Sequence, residues 1–172
     1  MKKIIILALL LGNSAFGSEI RVMTSSQIFH SLGAVTGLNL LRYPSVSKEY
    51  EESKSSFPRK GTTDEVNSKF KVKLFRLSWK VCEALYEKEL KKGSMIFNGV
   101  NLSEPLSNHK VDQLKELGIS FAAWFWDSTL SEDEARIAME EIHSISLLPL
   151  KIEEGYILAC SGFLVSPNFY TF

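Results

Sequence analysis

The stretch FKVKLFRLSWKVCEALYEKELKK runs from Phe70 to Lys92 without a glycine or a proline, and it limits the fold more than any other part of the chain. Its apolar residues recur at spacings of three and four. Phe70, Leu74, Leu77, Val81 and Leu85 form one stripe, and Val72, Phe75, Trp79, Cys82 and Tyr86 form a second. That is the period of an α-helix, and two adjoining apolar stripes predict a helix covered by neighbours on two sides. Gly93 is the natural stop. The remaining stripe, Lys69, Lys73, Arg76, Lys80, Glu83 and Glu87, faces water. Its basic part, with Lys71, offers a surface to an anionic ligand such as a lipid headgroup or a teichoic-type polymer. Charge runs of this kind are ordinarily solvated faces, and Glu83 and Glu87 offset this one at helical spacing.

Shorter helices flank it. Thr24 and Gln27 fit a capping box ahead of Ile28, Leu32 and Val35, with Gly37 as the stop. Helix resumes near Lys110, with Val111, Leu114, Phe121 and Phe125 on one face and Leu117 and Trp124 beside it; Gly118 is a point where this helix can break. Ser131-Glu132-Asp133-Glu134 is a second capping box, rich in acids that complement the helix dipole. Ala135, Ala138, Ile142 and Ile145 line the buried side of the helix it opens. A last helix over Ile152, Tyr156, Ala159, Cys160 and Phe163 stops at Ser166-Pro167. Its apolar run, Tyr156 to Val165, is about half the length that a membrane-spanning helix needs, so it reads as core. The aromatic tail is expected to pack back over the bundle, since the chain lacks the many alternating strands of a barrel. Met95-Ile96-Phe97 has strand character but no partner strand. With 172 residues the chain suits one domain. The expected fold is all-α: an irregular bundle of five or six helices around a long central one, spanning 18–172.

Between about Asn39 and Asn67 the chain is polar and broken by Tyr43-Pro44, Phe57-Pro58 and Lys60-Gly61. It reads as a long, poorly ordered loop with at most an exposed helical turn over Ser47–Ser55. Loops of that length are commonly functional, so Tyr43, Tyr50, Phe57, Arg59 and Lys60 are the candidate partner-binding residues.

The first seventeen residues, MKKIIILALLLGNSAFG, have a two-lysine head, an apolar run from Ile4 to Leu11 and small residues at Ala15 and Gly17. This is the pattern of a bacterial signal peptide cut between Gly17 and Ser18. The apolar run is too short for an anchor. Export places the chain in the periplasm or cell envelope. There the two cysteines, Cys82 and Cys160, are candidates for a disulfide; the alternative is two buried thiols. Formal net charge is zero, so no global field recruits nucleic acid or an anionic membrane.

Motifs for chemistry are sparse. Cys160 is followed by Ser-Gly-Phe-Leu, not by the Cys-His pair of covalent haem attachment. His30, His109 and His143 are isolated. Glu140 and His143 make one Glu-x-x-His, half of what a di-iron bundle needs. There is no Gly-x-Ser-x-Gly elbow and no phosphate loop. Glu104 and Glu116 lie closest to apolar residues, but nothing in the sequence supplies the second carboxylate of a glycosidase. No catalytic residue, metal site or cofactor is expected. The favoured function is a non-catalytic interaction module of the envelope with a protein partner. The competing class is an envelope enzyme, acting on cell-wall glycan or serving a redox partner.

Both ends carry motifs that resemble a known group. Arg21-Val-Met-Thr24-Ser-Ser-Gln27-Ile, Leu130-Ser-Glu-Asp-Glu134 and Cys160-Ser-Gly-Phe-Leu164-Val-Ser166-Pro167-Asn-Phe169 are similar to stretches in C-terminal helical regions of large exported planctomycete and myxobacterial proteins. Those proteins are often fused to c-type cytochrome domains. Ile28 stands where their first motif has an aromatic, and this chain has no cytochrome motif. The resemblance implies an exported helical module and transfers no catalytic residue.

Overall fold

Asn67 opens the longest helix by accepting the Phe70 N–H on its side-chain oxygen at 3.0 Å, and Gly93 closes it with φ of 93°. In this computed structural model, which describes residues 21–126 and 130–171, that helix is α3, Ser68–Lys92. Before it come α1, Ser25–Thr36, and α2, Pro44–Ser53. After it come α4, Val111–Trp126; α5, Glu132–Ser146; α6, Ile152–Leu164; and the single turn α7, Pro167–Tyr170. The fold is an all-α bundle, with six helices of ten residues or more among the described residues. Residues 1–17, expected to be a signal peptide, lie outside those residues.

α3 contacts α1, α2 and α6, while α4 and α5 pair as a hairpin that packs on α6. α6 runs antiparallel to α3. Cys82 meets Cys160, and one turn further along each helix Tyr86 stacks on Tyr156 with ring centroids 5.8 Å apart. The first apolar stripe of α3, Phe70 to Leu85, is buried throughout. The second is not. Cys82 and Tyr86 are buried, but Val72 is 58% exposed and Phe75 and Trp79 are only partly covered.

Gly118 does not break α4. The helix runs through it without interruption, because Gly118 is where α4 crosses α5: a Cβ there would meet the Ala138 carbonyl oxygen at 2.5 Å. The glycine is a close-approach residue, and its helical cost of about 1 kcal/mol is offset by helix–helix contact.

The segment expected as a long loop, 39–67, is largely folded. It contains α2 and three short 3₁₀ turns, and Pro44, read as a break, sits at the first turn of α2, where proline is pre-organised. Val46, Glu49 and Ser53 are buried on its inner side. Glu49 accepts from Arg76 of α3 at 2.9 Å and from the Ser53 hydroxyl at 3.0 Å, so the buried carboxylate is paired.

The two ends of the described chain meet. Val22 and Thr171 form an antiparallel bridge, and Met23 N–H donates to the Tyr170 carbonyl at 2.8 Å. Phe169 and Tyr170 are buried, Tyr170 edge-on to Phe70 at 5.2 Å. The aromatic tail therefore closes the bottom of the core. No helix among the described residues is long and apolar enough to cross a membrane.

Candidate functional site

Cys82 and Cys160 are joined, with sulfurs 2.04 Å apart and Cα atoms 6.0 Å apart. Both are fully buried between α3 and α6, so the bond is a structural staple with no access for thiol exchange.

The five residues proposed for partner binding divide by position. Phe57 is 3% exposed and lies edge-on to Phe70. Tyr43 and Tyr50 pack against the core, and Tyr50 stacks on Phe29 of α1 at 4.2 Å. These aromatics hold the 39–67 segment against the core, with Tyr43 and Tyr50 still partly exposed. Arg59 and Lys60 are exposed. Their backbone N–H groups donate to Glu65 at 3.0–3.2 Å, and those bonds hold its carboxyl below the usual range.

The histidines do not converge. His30 and His143 are exposed, and Glu140, the partner of His143 in the Glu-x-x-His, pairs with Arg136 at 3.3 Å. His109 is half-buried and bonds to the Tyr156 hydroxyl at 2.8 Å. Tyr156 is fully buried, and its hydroxyl also lies 3.0 Å from the Asn101 carbonyl and 3.1 Å from that of Glu104. Those carbonyls can only accept, and a phenol has one proton, so His109 Nε2 is best placed as the donor to the phenol oxygen. Burial, with smaller contributions from Tyr86 and Glu104, pushes the phenol far above its ordinary value. It cannot act as an acid at neutral pH. The node pins the 99–109 segment over α6.

Glu104 and Glu116 are both exposed, so neither sits in the hydrophobic pocket that a raised-pKa acid requires. Glu141 differs in being shifted by burial alone. It is half-buried over Gly162 of α6, and burial raises it from its ordinary value of 4.5. A carboxyl raised on folding binds its proton more tightly in the native state. Stability is therefore lost as pH rises from the unfolded value through the folded one. Glu141→Gln is expected to raise the urea midpoint at pH 7, and the gain should vanish on acidification below the unfolded value. An unchanged midpoint at pH 7 would show that the carboxylate is fully solvated.

Among the described residues lies an open groove of about 410 Å³ between α1 and α4, lined by Ala34, Val35, Ala123 and Trp124. Its small residues lie beside an indole that is 41% exposed. From the sequence Trp124 belongs beside the buried stripe of α4; in the fold it is left exposed at the edge of the groove. Among the described residues no three His, Cys, Asp or Glu side chains are grouped to hold a metal ion. No protein-family model, curated protein or solved structure matches this chain.

Proposed function

We propose that this chain is an exported, non-catalytic interaction module of the bacterial envelope, and that it binds a protein partner by taking an apolar side chain into the α1–α4 groove. The groove carries the reading. Two alanines bring its walls close to a half-exposed tryptophan, and a large amphipathic aromatic beside a shallow apolar slot is the usual anatomy of a binding hot spot. Two further features support export: the N-terminal leader pattern, and a buried disulfide of the kind that persists in oxidising compartments.

The test places a photo-crosslinking residue at Trp124 in cells and a second at exposed Glu132 as control. A single adduct of discrete mass is expected from position 124 and none from 132. Ala34→Glu, which fills the groove from an exposed helix position, is expected to abolish that adduct while the protein remains folded and oxidised. Equal crosslinking at both positions, or an adduct indifferent to Ala34→Glu, would remove the groove from consideration.

A further inference from the structure

The N-terminal half of α3 has an apolar ridge that its neighbours leave partly uncovered. Val72 is 58% exposed, and Phe75 is partly exposed beside Trp79, with ring centroids 5.8 Å apart. Lysines border the ridge. Arg76 is paired to Glu49 and Lys80 to Glu83. Lys69, Lys71 and Lys73 have no ion pair among the described residues, and none of the three is buried.

The charge distribution is lopsided. Residues 54–80 contain eight Lys and Arg against two Asp and Glu; residues 81–172 contain seven against fourteen. The formal zero of the whole chain conceals a strongly basic segment. The lysines also sit where helix stability disfavours them. They occupy the first two turns of α3, at the positive end of the helix dipole, and no acid stands in the first turn. A local rule broken without a compensating contact is characteristic of a functional surface. A second copy of the chain docked symmetrically here would bring like charges together.

We propose that this face of α3 docks on an anionic lipid surface, with Lys69, Lys71 and Lys73 at the headgroups and Val72 and Phe75 entering the interface. An apolar ridge flanked by lysines is the pattern of an interfacial helix, in which charge attracts and apolar burial retains. The surface is separate from the α1–α4 groove, so either proposal can fail alone.

The test uses the protein purified from its native envelope fraction, with vesicles of phosphatidylglycerol and phosphatidylcholine in equal amounts, and pure phosphatidylcholine as the neutral arm. Sedimentation with the anionic vesicles is expected, weakened by salt. Neutralising the lysines together (Lys69→Gln, Lys71→Gln, Lys73→Gln) is expected to lower partition by roughly a hundredfold, as three juxtamembrane cations are lost. Val72→Ser with Phe75→Ser should leave the salt-sensitive part and remove the binding that survives high salt. The proposal is overturned by no sedimentation, or by binding that ignores the lysine changes. Tight binding of inorganic polyphosphate that is indifferent to Val72 and Phe75 would assign the face to a soluble polyanion. A dimer that Val72→Ser with Phe75→Ser dissociates would assign it to a second copy. Either of those results also overturns the membrane proposal.

Discussion

Replacing Cys82 and Cys160 together by alanine is expected to lower the stability of this bundle by about 4–5 kcal/mol, on the chain-entropy model for a long closed loop. The bridge spans 78 residues, a loop that includes the C-terminal half of α3, all of α4 and α5, and the N-terminal part of α6. Without it the unfolded chain regains the freedom to separate those elements. Native geometry adds to the effect. The bond lies near the middle of both helices and is flanked one turn on by the Tyr86–Tyr156 stack, so its loss also opens space in a packed interior. Small domains are typically stable by only about 5–15 kcal/mol, and a loss of this size brings the chain near its unfolding threshold. The measurement is urea unfolding of the oxidised protein, the reduced protein and the double variant, followed by far-ultraviolet circular dichroism. Reduced protein and double variant should share a midpoint well below that of the oxidised form. If all three coincide, the packing of α3 on α6 holds without the bond.

How much of this was legible in the sequence depends on how local the determining contacts are. The Phe70–Lys92 helix, the Ser131–Glu134 capping box and the final apolar helix rest on neighbours three and four residues away, and the structure has them where those spacings put them. The Ser131 N–H donates to Glu134 at 2.9 Å and the Glu134 N–H returns to Ser131 at 3.2 Å. The 39–67 segment resisted because its order is imposed from outside. Glu49 is satisfied by Arg76, twenty-seven positions later, and Tyr50 by a ring on α1. A helix of polar composition whose inner side is Val46, Glu49 and Ser53 shows little apolar periodicity to read. Gly118 misled for the same reason: a helical glycine signals a break locally, and only the position of Ala138 reveals it as a crossing point. The candidate surfaces were less legible still. Which apolar residues stay uncovered is set by the packing of elements distant in sequence. Trp124 and Val72 therefore look the same in sequence as the buried residues beside them.

Glu89→Ala is expected to cost about 3–5 kcal/mol, since it strands buried backbone donors that each carry a penalty of about 1–3 kcal/mol. Glu89 is 4% exposed and sits in the last turn of α3, where the helix dipole disfavours an anion. The segment after Gly93 supplies the compensation. Its chain turns back with no strand or helix to receive its N–H groups, and the carboxylate takes them instead. Oε2 accepts from Met95, Ile96 and Phe97 at 3.0–3.1 Å, and Oε1 from Ile96 at 3.0 Å. Ile96 and Phe97 are thereby held fully buried, with Phe97 edge-on to both Phe121 and Tyr156. The run that has strand character in the sequence is folded around a single side chain. Glu89→Gln separates the hydrogen bonds from the charge. A glutamine oxygen in the Oε2 place still accepts from all three N–H donors, while its amide nitrogen opposes one Ile96 N–H contact, so the loss should be less than half that of alanine. Urea midpoints for the two variants decide it, with near-ultraviolet circular dichroism reporting on the aromatic cluster around Phe97. Alanine and glutamine costing the same would mean that the negative charge, and not the set of acceptors, organises the turn. A cost for alanine below about 1 kcal/mol would mean that water satisfies the donors as well as the carboxylate does.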